Sequence, residues 1–270
     1  MDFYLDNIES LSDATIRTYN SSYNKLTEML GQPIEESSVR NILSRVKEIE
    51  NPNTQKSVVV ILKKMYPDVQ EYQTLFRRLK TRIEIAKDKG LKKLNLPSVE
   101  ELKGFMNEAY ELGEFKKFII NYLLIHYNVR NKDLDIIVTR QRELIDDDKN
   151  YLYLAPSYVQ YIRNDYKTVS TYGPKKFSIK SAKFTQAVAM FLEDEWAKYL
   201  FNLKDAETHI ATSTIGAKVR KYTFEEVGET MYFKAIVLDL ARRGKTKELL
   251  VLSKRRGTDV QTIIDTYLKE

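Results

Sequence analysis

Residues 11–89 carry apolar side chains at intervals of three and four positions, the period of amphipathic helices. Four helices are predicted, and their boundaries follow from caps, glycines and prolines. The first runs from Ser12 to Gly31, the second starts at Ser38, the third runs from Asn53 to just before Pro67, and the fourth covers 70–89. The third contains a β-branched run that also permits a strand, but its helical flanks favour a helix. This pattern predicts an all-helical N-terminal domain over residues 1–88.

The periodicity breaks over residues 89–97, where lysines accompany Gly90 and Pro97. Such composition is typical of an exposed, basic linker. Ser98 then starts a new helix, because Glu101 stands three residues later in the capping-box position. We therefore expect a second domain over residues 98–270.

In the second domain the spacing of apolar residues changes once from the helical period to the alternation of strands, and then returns. A strongly apolar helix over 115–127 is expected to be buried and to end in a turn that exposes Arg130, after which another helix starts directly. Three aromatic-rich or alternating segments predict strands at 151–154, 158–163 and 176–180. Helices return near residue 183, with Ala187, Met190, Phe191 and Trp196 on the predicted buried face, and continue through 214–222, 231–243 and 246–253. The predicted fold is mainly α with one small antiparallel β-sheet.

Composition excludes several classes of protein. The 270 residues include no cysteine, so disulfides, thiol nucleophiles and thiolate metal sites are ruled out. Two histidines, His126 and His209, argue against a zinc site. No apolar run reaches the roughly eighteen residues of a membrane span, and the acidic N-terminus lacks a secretory core. Without a glycine-rich phosphate loop or paired metal-binding histidines, we expect an intracellular protein that needs neither nucleotide, metal nor other cofactor.

The net charge of +6 and a pI near 9.1 are compatible with nucleic acid as partner. Lysines and arginines recur in clusters, and 18 tyrosines lie among them. The alternative is that these lysines and arginines lie on solvated helix faces. That explanation fits any one cluster well but fits the whole series less well. We predict double-stranded DNA as the partner. The expected contacts to it are Arg77, Arg78, Lys92, Lys93, Arg255 and Arg256.

The stretch Lys254–Lys269 combines a basic cluster, Gly257 and, close to the end of the sequence, Tyr267. Cations beside a phenol suit attack on a phosphate, because the cations hold the anion while the phenol supplies the nucleophile. By itself the stretch favours the other interpretation, a basic C-terminal helix whose tyrosine packs.

The order of these parts resembles the tyrosine recombinase (phage integrase-like) family over nearly the whole chain. The segment from Ala14 to Tyr19 is similar to the family's opening helix, and Asn128–Leu134 is similar to its Gly-Leu-Arg-x-x-Glu-Leu box. Tyr166-Lys167-Thr168 looks like the family's hairpin lysine. Gly257-Thr258, with Tyr267 nine residues after the threonine, keeps the spacing of its Gly-His and tyrosine motifs.

The resemblance implies a role for each matching residue. Arg130 would hold the phosphate, supported by Asp133, and Thr258 would donate a hydrogen bond to a phosphate oxygen. Lys167 would protonate the leaving 5′ oxygen, and Tyr267 would form a 3′-phosphotyrosyl bond. It also implies a site-specific recombinase or integrase, independent of metal and ATP, that works as a homo-oligomer, expected to be a tetramer on DNA. A virus or mobile element is the expected source.

One family motif is altered. Where the family has His-x-x-Arg, the chain reads Met231 to Lys234, so Lys234 stands in place of the second arginine. A lysine neutralises a phosphate oxygen but does not clamp two in one plane. Arg220 or Arg243 could replace that arginine in space. Three alternatives stay open: a non-cutting DNA-binding factor with an architectural or packaging role, a type IB topoisomerase-like enzyme, and an unrelated helical DNA-binding protein.

Overall fold

The computed structural model describes residues 11, 13–92, 96–202 and 210–268, and the side chains of residues 13, 14, 87–92, 213, 266 and 267 lie outside that description. The chain divides into two compact units, Met1–Leu94 and Asn95–Glu270. As predicted, it is mainly helical with one small sheet, and this five-stranded sheet belongs to the second unit.

The first unit packs four helices around one apolar core. They are α1 (Asp13–Leu30), α2 (Val39–Glu48), α3 (Pro52–Met65) and α4 (Gln70–Lys92). The buried residues at its centre include Leu26, Ile42, Val46, Val58, Val59, Leu62, Tyr72 and Leu79.

The ends of these helices differ from the prediction in two places. Asn51, and not Asn53, caps α3, because the Asn51 side chain accepts hydrogen bonds from two backbone N–H groups of the first turn. Helix α4 continues through Lys92 into the predicted linker. A single glycine such as Gly90 costs a helix only about 1 kcal/mol and does not end it. The predicted cap Ser12 lies outside the described residues.

The second unit begins with α5 (Val99–Glu111) and α6 (Phe115–Tyr127). The predicted capping box is present at Ser98 and Glu101. Helix α6 is buried along most of its length and ends at Asn128, whose backbone is left-handed with φ of 53°. Only a 3-10 turn, Asn131–Leu134, follows Arg130, where a full helix was expected.

The sheet contains β1 (Ile136–Thr139), β2 (Asn150–Leu154), β3 (Val159–Arg163), β4 (Lys175–Ile179) and β5 (Ala197–Tyr199), in the order β4-β3-β2-β1-β5. A short helix, α7 (Val169–Tyr172), precedes β4. The strands β2, β3 and β4 form the predicted antiparallel meander. Strands β1 and β5, on the other side of β2, were not predicted. Because β1 runs parallel to β2, the sheet is mixed rather than antiparallel.

The remaining elements complete the second unit. They are α8 (Ala182–Leu192), α9 (Thr212–Arg220), α10 (Glu229–Arg242), α11 (Thr246–Arg256), α12 (Val260–Ile263) and a π-helical turn, Ile264–Leu268. The prediction that Met190 and Trp196 are buried was wrong, since 48% and 66% of their surfaces are exposed. Helix α8 ends at Leu192, so Trp196 leaves the helical face on which the periodicity placed it.

Within the described ranges, none of the helices is both long enough and apolar enough to cross a lipid bilayer.

Candidate functional site

Two of the predicted catalytic residues, Arg130 and Thr258, meet at the C-terminal end of α11. Gly257 ends this helix in a left-handed conformation with φ of +64°. The last carbonyls of a helix have no partner within the helix and need donors from elsewhere. Here side chains from several other elements supply those donors.

Arg130 is the central donor. Its Nη1 donates to the Arg256 carbonyl over 2.7 Å, and its Nη2 donates to the Thr258 hydroxyl over 2.7 Å. Two residues 128 positions apart in sequence are thereby in direct contact. Burial, followed by the nearby Arg256, lowers the pKa of Arg130. Arg130 is only partly buried.

Three further donors, which were not among the predicted site residues, act on the same helix end. Arg163 Nη1 donates to the Arg255 carbonyl over 2.7 Å, and the Thr168 hydroxyl donates to the Gly257 carbonyl over 2.8 Å. The ammonium of Lys175 donates to the Lys254 carbonyl. The end of α11 is thus held by strand β3, strand β4 and the turn between them.

A buried ion pair lies beneath Arg130. Arg163 Nη2 donates to Asp133 Oδ2, and neither side chain is exposed. The same carboxylate oxygen accepts the backbone N–H of Arg130 over 2.8 Å, which fixes the turn that carries the arginine. Asp133 therefore supports Arg130 through the backbone and through Arg163.

Gly257 is required for close packing as well as for its positive φ. A Cβ on this residue would lie 2.7 Å from the Thr168 hydroxyl and 3.0 Å from Cε2 of Tyr166. The phenol of Tyr166 in turn donates to the Gly173 carbonyl over 2.7 Å. The glycine of the Gly257-Thr258 motif thus brings the α11 end against the β3–β4 connection.

Lys175 is a partly buried lysine with a lowered pKa. Burial, and then the charge of Arg163, lowers the pKa of Lys175 to about 8. An ammonium with a pKa near neutrality transfers its proton more readily than an ordinary lysine. Lys167 is exposed in the turn before α7, one residue from Thr168. The structure therefore offers two lysines on the β3–β4 connection, of which Lys175 contacts the helix end.

Strand alternation is the signal that could have identified Lys175. Along β4, Lys175, Phe177 and Ile179 share the more buried face, whereas Lys176 and Ser178 are exposed. Arg163 ends the buried strand β3 and pairs with Lys175 in the sheet register. Its partner Asp133 is 30 residues away, and no local pattern links the two.

The two other predicted catalytic residues lie near the C-terminus of the second unit. Lys234 is a buried residue of α10 and has interaction partners in the structure. The backbone of Tyr267 lies in the π-helical turn that packs against α10, and its side chain lies outside the described residues.

The candidate replacements for the second arginine lie elsewhere. Arg243 pairs with Glu100 and with Asp239, each at 2.9 Å. Arg220 is exposed at the end of α9. The guanidinium that lies next to Arg130 beside Asp133 is that of Arg163, from β3.

The predicted DNA contacts differ in exposure. Arg77 and Arg78 are exposed on α4, and Arg255 is exposed while its Nη1 donates to the His126 carbonyl over 2.9 Å. Arg256 is buried: it pairs with Glu229 at 2.9 Å and lies 3.9 Å from the centre of the Phe233 ring, so its role here is to hold α11 on α10. The side chains of Lys92 and Lys93 lie outside the described residues, as does His209.

His126 packs against the aromatic cluster of α6, with its ring 4.4 Å from that of Tyr122. Burial, and then the charges of Lys103 and Arg255, lowers the pKa of His126 to about 4. Across the described ranges, no group of three or more histidine and carboxylate side chains is arranged to hold a metal ion.

Comparison with solved structures finds neighbours of low similarity, of which one is described here. The crystal structure of XerA recombinase is similar to this chain at 14% sequence identity and a TM-score of 0.38, over 94% of this chain and 86% of the recombinase chain. No protein-family model and no curated protein sequence matches the chain. Similarity at this level says nothing about the chemistry, so the function has to be inferred from the side chains of the site.

Proposed function

We propose that the protein binds double-stranded DNA and cleaves and rejoins it through Tyr267, in the manner of a tyrosine recombinase. The observation that carries the proposal is the 2.7 Å contact between Arg130 and the Thr258 hydroxyl. The two family motifs that would bind one phosphate are far apart in sequence, and they meet. A planar guanidinium beside a hydroxyl donor suits a phosphate whose negative charge grows during reaction.

In the proposed reaction, the phenol of Tyr267 releases its proton to water, its oxygen attacks phosphorus, and the bond from phosphorus to the 5′ oxygen breaks. Arg130 and Thr258 hold the non-bridging oxygens, and a lysine ammonium gives its proton to the leaving 5′ oxygen. The product is a 3′-phosphotyrosyl link and a free 5′ hydroxyl. Attack by a 5′ hydroxyl on this link reverses the step, so rejoining needs no external energy source.

Lys175 is the better candidate for the proton donor, and Lys167 the alternative. Lys175 contacts the α11 end close to Thr258, and its pKa of about 8 suits proton transfer near neutral pH. Lys167 keeps the position implied by the sequence resemblance and is exposed, where a substrate would reach it. Substituting each lysine in turn by methionine shows which of the two donates the proton.

A non-cutting DNA-binding factor is the second candidate. It is favoured by the replacement of the family's second arginine by Lys234 and by the carbonyl of Arg256, which already accepts a hydrogen bond from Arg130. In that case Arg130 only caps α11, and the exposed cations Arg77, Arg78 and Arg255 provide phosphate contacts.

The deciding experiment traps a covalent adduct. The protein is mixed with nicked duplexes drawn from DNA that flanks its own gene, and the products are separated on a denaturing gel. A protein–DNA adduct that disappears in Tyr267→Phe supports cleavage. DNA binding without an adduct, under conditions where wild-type protein is folded and in excess, would replace cleavage by the second candidate.

Arg140 provides a matched control for Arg130. Its Nη2 donates to the carbonyls of Ala189 and Glu193, each over 3.2 Å, so it caps the end of α8 as Arg130 caps the end of α11. We expect Arg130→Lys to lose the adduct and Arg140→Lys to keep it. Equal losses would mean that both arginines act only through stability.

A further inference from the structure

A second cationic site lies at the opposite end of α6 from Arg130. It is a groove of about 510 Å³ in the second unit. Helix α6, helix α8, strand β5 and the segment after α9 line it, and the lining residues used below are Lys116, Glu193, Lys198, Lys221 and Tyr222.

Lys116 is a partly buried cation of this groove. Its Nζ lies 4.7 Å from the centre of the Phe201 ring and 5.0 Å from that of Tyr222. The two rings, 6.0 Å apart and nearly perpendicular, hold the ammonium by cation–π attraction. The lysine is therefore fixed in place and partly removed from water.

The charges near Lys116 are mainly of its own sign. Burial, and then the charges of Lys218 and Lys198, lowers the pKa of Lys116 to about 8. Lys198 and Lys117 have carboxylate partners, Glu195 at 3.3 Å and Glu114 at 2.8 Å. Within the described part of the chain, Lys116 and Lys218 are in no ion pair; Lys218 Nζ donates to the Asn202 carbonyl over 3.3 Å.

Folding by itself gains little from this arrangement. A partly buried ammonium next to two others is disfavoured unless an anion compensates it. Glu193 lines the groove, but its carboxylate is not among the groups that act on the pKa of Lys116. An oxyanion in the groove would relieve the repulsion between the ammonium groups.

We infer that this groove binds phosphate groups, which Lys116, Lys198 and Lys221 hold by their ammonium groups. The ammonium groups of Lys116 and Lys198 already lie over the rings of Phe201, Tyr222 and Phe191. Recognition therefore depends on charge, and a free polyphosphate and a nucleic-acid backbone present the same chemistry.

The groove is separate from the site at α11. Lys116 is the second residue of α6, and Arg130 follows the end of that helix. At 1.5 Å per residue the two are about 20 Å apart. Phosphate binding in the groove does not require cleavage at Tyr267, and its failure would leave the proposed reaction untouched.

Amine labelling tests the inference on the whole chain. An ordinary lysine is almost fully protonated at pH 8, whereas about half of Lys116 is in the reactive amine form. The protein is treated with a limiting amine-reactive ester, with and without inorganic tripolyphosphate, and labelled lysines are quantified by mass spectrometry. We expect tripolyphosphate to reduce labelling of Lys116 about tenfold, since a bound anion both covers the amine and keeps it protonated.

Lys183 is the internal control. It also lies over a ring, 4.8 Å from the centre of Tyr110, but it pairs with Glu111 at 3.0 Å. Its labelling should not change. Equal protection of Lys116 and Lys183 would overturn the inference.

Substitutions provide an independent test by titration calorimetry with tripolyphosphate. We expect Lys116→Met and, separately, the exposed Lys221→Met to raise the Kd about tenfold, whereas Lys183→Met, with the same change in charge, leaves it unaltered. Lys221 keeps the test valid if the change at Lys116 impairs folding. Identical effects of all three substitutions would mean that only the net charge of the protein matters, and would refute phosphate binding in the groove.

A short duplex in place of tripolyphosphate identifies the source of the phosphates. Protection of Lys116 by both probes means that isolated phosphate groups suffice, and protection by the duplex alone means that a nucleic-acid backbone is required. The Tyr267→Phe protein is used for this arm so that no covalent adduct contributes. If neither probe protects Lys116, the inference is contradicted.

Discussion

Arg163 and Asp133 form an ion pair in which both side chains are fully buried, and the same carboxylate oxygen fixes the backbone of Arg130. Removing one partner of a buried pair leaves an uncompensated charge, which typically costs about 3–5 kcal/mol. We expect Arg163→Met to lower the free energy of unfolding of the second unit by this amount, measured by denaturant titration.

The double variant Arg163→Met/Asp133→Leu should lose less stability than the sum of the two single variants, because neither charge is left alone. The exposed pair Lys183–Glu111 is the control, and Lys183→Met should change stability by less than about 1 kcal/mol. Additive losses at Arg163 and Asp133 would show that the pair contributes no coupling.

Gly257 and Gly244 share a φ of +64° but differ in their surroundings. A Cβ at Gly257 would approach Thr168 and Tyr166, whereas none would meet an atom within 4 Å at Gly244. We expect Gly244→Ala to cost about 1 kcal/mol for the left-handed backbone. Gly257→Ala should cost about 1–3 kcal/mol more because of overpacking.

Thermal unfolding of the two alanine variants measures this difference directly. The Gly257 variant should also lose DNA cleavage, since α11 carries Thr258 and must move away from the β3–β4 connection. Equal stabilities of the two variants would mean that the surroundings of Gly257 yield without strain.

Lys175 gives the proposed cleavage a specific pH dependence. An ammonium donates its proton only while protonated, and the pKa of Lys175 is lowered to about 8. The cleavage rate should therefore fall as the pH rises through about 8. The measurement is the single-turnover rate of adduct formation between pH 6 and 10.

In Lys175→Met we expect a rate about a hundredfold lower, with the decline above pH 8 removed. Lys176→Met is the control: Lys176 is the neighbouring residue on the exposed face of β4, and its loss should preserve both the rate and the profile. If Lys167→Met abolishes the pH dependence and Lys175→Met does not, Lys167 is the proton donor.

Lys116 should destabilise the protein in a pH-dependent way. Its pKa is about 8 in the folded chain, below the ordinary 10.5, so the unfolded chain binds more protons between these values. The cost of burying its charge is fully present below pH 8 and disappears as the pH rises towards 10.5. Lys116→Met should therefore raise the Tm at pH 7 by about 2 °C, allowing for solvent screening of a partly buried group.

The gain in Tm should shrink between pH 8 and pH 10, because Lys116 of the folded wild-type protein then loses its proton and its burial costs less. Lys183→Met, which removes an exposed and paired lysine, should show no such trend. A gain that is constant with pH would indicate better packing by methionine rather than the removal of a charge.

Helices were easier to predict from this sequence than strands. The stripes around Leu26, Val46 and Leu79 recur over several turns, so the signal accumulates. Strand β1 has four residues and β5 has three, and runs this short do not distinguish a strand from a turn. The parallel pairing of β1 with β2 is a long-range choice that leaves no local pattern.

The site residues divide in the same way, into those with a local sequence signal and those without one. Arg130 and Thr258 were identified because each belongs to a motif, and the structure brings them into contact. Lys175 and Arg163 belong to no motif, and their importance arises from the register of β3 against β4 and from burial beside Asp133. Side chains that act through tertiary contacts become visible only when the fold is known.

The capped end of α11 makes ligand binding a competition. The N–H groups of Arg130 that would hold a phosphate already serve the Arg256 carbonyl and the Thr258 hydroxyl. A phosphate that takes them over leaves those groups to find water, so its net affinity is the difference between two sets of hydrogen bonds. Occupancy at Arg130 and the order of the chain that leads from Thr258 to Tyr267 are therefore thermodynamically linked: whatever loosens the last turn of α11 strengthens the arginine's hold on an incoming anion.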